Sequence, residues 1–196
     1  MVYGLTVSSQ PAVEPVSVSE AKTHLRVETS DDDTYIGSLI SAARQLVELQ
    51  TRRTLITQSF ELTLDRFPQG AIRIPRSPVQ SITSIVYLDE NGDEQTLDSS
   101  LYRLNETTIV ASVAPEYGES WPSTLATTKS VTLTFVAGYG DAADDVPEPI
   151  KHAIKLMIGT YYDPVRQTVV MGDAPSEVPQ SASFLLGPYM IKEFAR

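Results

Sequence analysis

The fold is decided by residues 36–64, IGSLISAARQLVELQTRRTLITQSFELTL, because the spacing of the apolar residues changes within this stretch. The first half places apolar side chains three or four residues apart, as on one face of an amphipathic helix: Ile36, Leu39, Ile40, Ala43, Leu46 and Val47. In the second half Phe60, Leu62 and Leu64 alternate with polar residues, as in a half-buried strand. The sequence therefore predicts a helix that ends near Arg52 and a β region that begins directly after it.

Two helix-start signals precede this stretch. Ser17-Val-Ser-Glu20 has the spacing of a capping box and predicts a short helix to about Val27. Ser30-Asp-Asp-Asp33 places carboxylates where the dipole of the next helix favours them. Residues 1–16 contain two prolines and show no periodicity, so we expect an extended N-terminal arm there.

The strand pattern continues to about residue 137. Short apolar stretches recur near residues 72–74, 82–88, 102–104, 108–113 and 131–135, and Asn91-Gly92 is typical of a tight hairpin turn. Residues 55–137 are therefore predicted to form an antiparallel all-β domain of about five to seven strands.

Helical spacing returns after Pro147 and ends at Asp163-Pro164. The predicted fold class is α+β, with a small helical core of three main helices over residues 17–54 and 147–163. The antiparallel all-β domain, residues 55–137, is inserted between the second and third helices. The arm at residues 1–16 precedes this core, and a loop with a C-terminal arm, residues 164–196, follows it.

Composition excludes several classes of protein. The chain has 196 residues, 41% of them hydrophobic, a net charge of −10 and no cysteine. A chain without cysteine holds no disulfide framework, thiolate zinc site or cysteine nucleophile. No stretch has the roughly 20 apolar residues of a membrane span, and the acidic balance argues against general nucleic-acid binding.

The candidate chemical motifs predict no catalytic, cofactor or metal site. Gly138-Tyr-Gly140 resembles a dinucleotide loop, but Pro147 delays the following helix and three aspartates lie between them. His24 and His152 are expected on helix surfaces, and Asp31 to Asp33 are explained as helix N-terminal acids. Arg52-Arg53 is explained either as basic residues at a helix C-terminus or as a contact to a partner. Trp121 is explained either as an exposed interface residue or as a side chain that packs under its own loop.

An apolar cluster near the C-terminus is the one candidate binding site. It follows the loop from Pro164 to Ser181 and is predicted to contact a partner: Phe184, Leu185, Leu186, Tyr189, Met190 and Ile191. The alternative is that this cluster packs on the chain's own helices.

Several stretches together resemble one protein family. The helical ones are residues 16–27 (VSVSEAKTHLRV), 31–36 (DDDTYI), 39–44 (LISAAR), 51–58 (TRRTLITQ) and 146–154 (VPEPIKHAI). Those of the β region are residues 62–68 (LTLDRFP), 72–75 (IRIP), 78–84 (PVQSITS), 87–89 (YLD) and 131–140 (VTLTFVAGYG). In this order and spacing they resemble the head–tail connector, or adaptor, proteins of tailed bacteriophages and gene transfer agents, in the version with a β insertion.

The resemblance implies a structural protein in the neck of a virion, made in the cytoplasm of a bacterial host. It implies a ring of about twelve copies beneath the portal, closed by head-to-tail contacts between copies. The expected partners are the portal, which the six apolar residues above would contact, and a stopper or tail-terminator protein. Double-stranded DNA would only pass through the channel, and no enzyme activity, cofactor or membrane is implied. Two alternatives remain open: another virion component, such as a tail-completion protein, and an enzyme or small-molecule-binding domain with an unrecognised pocket.

Overall fold

The computed structural model describes residues 3–106, 110–162 and 180–192, and the chain divides into two units. The β unit consists of Met1–Pro11 and Thr57–Tyr139, and the helical unit of Ala12–Ile56 and Gly140–Arg196. The α+β class with a β insertion between the second and third helices is confirmed. Within the helical unit Ile56 and Gly140 form an isolated β-bridge, so the two ends of the insertion are adjacent there.

The helical unit contains four described helices: α1 (Val18–Leu25), α2 (Asp33–Thr51), α3 (Glu148–Tyr162) and α4 (Gln180–Leu186). The predicted capping box starts α1, since Glu20 N donates to Ser17 Oγ at 3.1 Å and Ser17 N donates to Glu20 Oε2 at 2.8 Å. Most members of the predicted apolar stripes of α2 and α3 are buried in the core of this unit, although Leu39 and Leu46 of α2 are only half-buried. The buried members are Ile36, Ile40, Ala43, Val47, Ile150, Ala153, Ile154, Met157 and Ile158. None of the described helices is long and apolar enough to cross a membrane.

The β unit contains two antiparallel sheets. Its strands are β1 (Tyr3–Ser9), β2 (Gln58–Leu64), β3 (Ile72–Arg73), β4 (Val79–Leu88), β5 (Glu94–Thr96), β6 (Tyr102–Asn105), β7 (Ser112–Pro115) and β8 (Val131–Ala137). The larger sheet has the order β1-β2-β8-β4-β5, and the smaller sheet has the order β3-β7-β6. The predicted turn at Asn91-Gly92 joins β4 to β5. Gly92 has a positive φ of 89° but Asn91 does not, so the turn differs from the two-residue type in which both central residues have positive φ.

Period-2 alternation builds the core of the β unit. Phe60 of β2 lies opposite Phe135 of β8, and their rings stack with centroids 5.3 Å apart. The smaller sheet adds Ile72 and Val113 to the same buried cluster. The alternation of apolar and polar residues in β2 thus determines which face of the larger sheet packs into the core of the β unit.

The prediction of an extended arm at residues 1–16 is wrong for residues 3–9. These residues form β1, which pairs with β2 and places Leu5 opposite Leu62. Two apolar residues at alternate positions, Leu5 and Val7, are too few to predict a strand from the sequence. The strand that pairs with β1 is β2, which lies about 50 residues further along the chain. The end of the arm also packs on the protein, because Val16 is fully buried in the helical unit.

Candidate partner-binding surface

The C-terminal segment, residues 180–192, packs on its own helical unit. It consists of α4 and a 3-10 turn at Gly187–Tyr189, followed by an extended end. Ala182 and Leu186 are fully buried, and Ile191 is 8% exposed. Ile191 N donates a 3.1 Å hydrogen bond to the carbonyl oxygen of Thr51, the last residue of α2. Leu186 and Ile191, the buried members of the apolar cluster, therefore pack on the chain's own helices, which was the alternative to a partner contact.

The six candidate portal contacts divide into two groups. Leu186 and Ile191 lie in the subunit's own core, so the prediction that they anchor a partner is corrected. Residues four apart on a helix share a face, so Ala182 and Leu186 point inward together while Phe184 points away. Phe184 is 83% exposed, and Leu185, Tyr189 and Met190 are half-buried. A contact between these four residues and a portal remains a prediction, and residues 164–179 of the preceding loop lie outside the described residues.

The two histidines, treated separately in the sequence, are neighbours in the structure. The rings of His24 on α1 and His152 on α3 meet edge to face, with centroids 6.3 Å apart. Burial and the positive charges of His152 and Lys155 lower the pKa of His24. The groove around them is open and is lined by residues with polar or charged side chains. In the described part of the chain no group of three or more His, Asp or Glu side chains could hold a metal ion. No single-sequence signal reveals the pair, because it depends on how α1 packs against α3.

A buried ionic network in the helical unit escaped the sequence analysis. Arg44 Nε donates to Glu14 Oε2 at 2.7 Å, and its NH1 donates to Glu48 Oε2 at 3.0 Å. Glu48 Oε1 also accepts a hydrogen bond of 2.9 Å from the backbone N–H of Leu55. A signal was available, because Arg44 and Glu48 follow Ile36 and Ile40 at four-residue intervals on the buried face of α2. The network joins α2 to the chain before α1 and after α2, so its role is structural.

The acidic and glycine motifs also have structural explanations. Asp33 binds Lys22 Nζ at 2.7 Å, and the hydroxyl of Tyr162 donates to Asp32, which raises the pKa of Tyr162. The side chain of Asp145 fills the space beside Gly140 where a Cβ would stand. A carboxylate at this position would repel a phosphate, which agrees with the rejection of a dinucleotide loop.

The two remaining candidates have partners within their own units. Trp121 stacks on Phe67 with ring centroids 4.8 Å apart, and its Nε1 donates to the carbonyl oxygen of Gly70 at 2.8 Å. Arg52 ends α2 with a positive φ of 58°. Arg53 Nε donates to the carbonyl oxygen of Tyr189 at 2.7 Å, so it holds the C-terminal segment. Trp121 therefore packs against the loop between β2 and β3 of the β unit, and not under its own loop.

A helical unit interrupted by an antiparallel β unit is a fold shared with neck proteins of phage-like particles. A chain from "Neck of empty GTA particle computed with C6 symmetry" matches with a TM-score of 0.77 and 21% identity, over 100% of this chain and 98% of that one. A chain from "Virion of native gene transfer agent (GTA) particle" matches with a TM-score of 0.78 and 21% identity, over 97% of both chains. A third, from "Neck of native GTA particle computed with C12 symmetry", has a TM-score of 0.72 and 21% identity, over 100% and 98% of the two chains.

The family itself is defined by sequence. The model described as phage gp6-like head-tail connector protein matches residues 15–112, which are 98 of the chain's 196 residues. The chain belongs to this family and is a structural connector protein. No curated protein sequence matches it.

Proposed function

We propose that this chain is an adaptor in the neck of a phage or phage-like particle, where about twelve copies form a ring beneath the portal. The observation that carries the proposal is the family match over residues 15–112. It is supported by the fold, which is shared over the whole chain with a protein from a gene transfer agent neck described with C12 symmetry. A ring of this kind needs one surface of each copy to fit a different surface of the next copy.

The charge of the chain suits a ring that DNA passes through. The net charge is −10, and both units carry more acidic than basic residues. A protein of the same sign as DNA gains no counterion-release energy from its phosphates, so it does not retain the DNA in transit. We therefore assign DNA to the channel as a passing molecule and not as a bound ligand.

The portal contact is assigned to the exposed side of the C-terminal segment. Phe184 is 83% exposed, although Leu186 two residues later is fully buried. Burying one such aromatic side chain contributes about 1.5–3 kcal/mol, and a ring of copies engages many of them at once. Leu185, Tyr189 and Met190 would complete this contact, while a stopper or tail protein would dock elsewhere on the ring.

Electron cryomicroscopy of purified particles tests this function. Particles are prepared from cells with and without the gene for this chain, and the region between capsid and tail is reconstructed without imposed symmetry. We expect a ring of density that fits this fold below the portal, and its loss without the gene. Particles whose neck is complete in the absence of the chain would refute the proposal.

A further inference from the structure

We propose that the solvent-facing side of α2 packs against a second copy of this chain. The contact rests on the proposed ring, because it requires a neighbouring copy. The surface consists of five apolar residues spaced four, three, four and three positions apart, which places them along one side of the helix over about 21 Å. These residues are called the outer stripe: Tyr35, Leu39, Ala42, Leu46 and Leu49.

The outer stripe is largely open to solvent. Leu49 is 68% exposed and Tyr35 is 49% exposed. Ala42 between them is also exposed, and Leu39 and Leu46 are half-buried. The helix therefore has a second apolar side besides the one that forms the core of the helical unit, whereas a surface helix normally has one apolar side and one polar side.

The same side of α2 carries no charge. From residue 34 to residue 51 the only charged residues are Arg44 and Glu48, and both are buried in the ionic network described above. Charged residues make up 20% of the chain, so several would be expected on the solvent side of a helix of this length. The shorter helix α1, by contrast, exposes Glu20. Exposed leucine and tyrosine without charge is the composition found at the centre of protein interfaces.

Polar groups on this side of α2 have hydrogen-bond partners within the helical unit. Ser38 Oγ donates to the carbonyl oxygen of Tyr35 at 2.6 Å, and Gln45 Nε2 donates to Ser41 Oγ at 3.5 Å. The hydroxyl of Tyr35 donates to the carbonyl oxygen of Tyr161 at 3.5 Å, which positions the aromatic ring at one end of the outer stripe. A partner can therefore cover these donors without leaving them unpaired, which is the main cost of burying a polar group.

The charge of the chain favours a second copy as the partner. Each copy has a net charge of −10, so two copies repel each other wherever their acidic surfaces meet. The outer stripe lies on a surface where this repulsion is weakest, whereas a basic partner would gain more from an acidic surface. In a ring, the outer stripe of one copy would fit a different surface of the next copy, because two stripes that met each other would close a dimer.

Photo-crosslinking in assembled particles tests the contact. A photoreactive amino acid is placed at Gln45 of the full chain, which is exposed beside the outer stripe, and the chain is expressed in the particle-producing strain. The matched control carries the same amino acid at Thr23, which is exposed on α1 among charged residues. After irradiation we expect a product with twice the mass of the chain, whose peptides join Gln45 to a surface of a second copy other than the outer stripe. The control should give about tenfold less of this product, because its probe is not held against a second copy.

A charge in the outer stripe should prevent incorporation without unfolding the chain. Ala42→Glu and Ala42→Lys place either sign in the middle of the stripe, and Thr23→Glu and Thr23→Lys are the matched controls. All four purified variants should keep their circular dichroism and urea midpoint, since both positions are exposed. We expect the two Ala42 variants to enter particles about tenfold less than the controls, because the contact would bury an unpaired charge. Testing both signs excludes an effect of net charge, since a lysine lowers the repulsion between copies.

Several outcomes would overturn the inference. These are a product from Gln45 within one chain, with the portal or between two outer stripes, no product above the Thr23 control, and normal incorporation of both Ala42 variants. Ring density is scored in particles that carry the unmodified chain. A ring there with any of these outcomes refutes only the contact at α2, whereas a neck without the ring refutes the proposed function.

Discussion

Arg53 and Tyr189 are joined by a 2.7 Å hydrogen bond, in which Arg53 Nε donates to the carbonyl oxygen of Tyr189. The bond connects the residues just after α2 to the turn that follows α4. Together with the bond from Ile191 N to the carbonyl oxygen of Thr51, it fixes the C-terminal segment on the helical unit. The segment is therefore held by polar contacts as well as by its buried leucine and isoleucine.

Replacing Arg53 should loosen this segment. Arg53→Met keeps much of the side-chain stem but removes the donor, and a hydrogen bond to a charged group contributes about 1.5–3 kcal/mol. We expect faster hydrogen exchange at the amide of Ile191, measured by NMR or mass spectrometry, with far smaller changes in the β unit. Arg103→Met is the control, because the side chain of Arg103 is 63% exposed and its ion pair with Glu116 is long, at 3.9 Å. Equal exchange at Ile191 in the two variants would show that the Arg53 bond does not hold the segment.

Substitutions of Leu186 and Phe184 should distinguish the residue needed for folding from the residue needed for attachment to the portal. Leu186→Ala removes a fully buried side chain and should lower the free energy of unfolding by about 2–5 kcal/mol. Phe184→Ala should change it by less than about 0.5 kcal/mol, because Phe184 is 83% exposed. Urea denaturation of the two purified variants checks both values.

If the proposed portal contact is correct, the same Phe184→Ala chain should join portal-bearing heads poorly although it folds normally. The amount of chain that sediments with purified heads measures this. Ser183→Ala is the matched control, since Ser183 is exposed on the same short helix and contributes no large apolar group. Normal incorporation of Phe184→Ala would remove this residue from the portal contact.

Local patterns in the sequence were sufficient for much of the fold. The capping box at Ser17, the stripes of α2 and α3 and the turn at Gly92 depend on residues close together in the chain, so spacing alone reveals them. The strand β1 was missed because its partner, β2, begins at Gln58 and nothing near residues 3–9 indicates that pairing.

The candidate surface was harder to predict for a similar reason. Six apolar residues near the C-terminus look alike in sequence, and only the packing of α4 separates the buried Leu186 from the exposed Phe184. The buried pair of Arg44 and Glu48 was not predicted, because charged residues are seldom buried unless they are paired. Their partners, Glu14 and the N–H of Leu55, come from other parts of the chain.

The buried network should be costly to break. Glu48→Ala removes one carboxylate from Arg44 and leaves the N–H of Leu55 without this acceptor, while Glu14 still pairs with Arg44. Breaking a buried ion pair costs about 3–5 kcal/mol, and we expect the lower end here because one carboxylate remains. The midpoint of chemical denaturation measures the effect. Leu49→Ala is the control, since Leu49 is the next residue of α2 and is 68% exposed; similar midpoints for the two variants would contradict a stabilising network.

The histidine pair should make stability depend on pH. The pKa of His24 lies below its ordinary value of 6.5, first because of burial and then because of the charges of His152 and Lys155. The unfolded chain therefore binds a proton more readily than the folded chain, and folding loses stability as pH falls below about 6.5. His24→Gln should remove this loss, and His152→Gln should reduce it, because one of the charges that lower the pKa of His24 is gone. Urea denaturation between about pH 5.5 and 7.5 covers this range and avoids most carboxylate titration. An unchanged slope of unfolding free energy against pH in His24→Gln would assign the pH dependence to other groups.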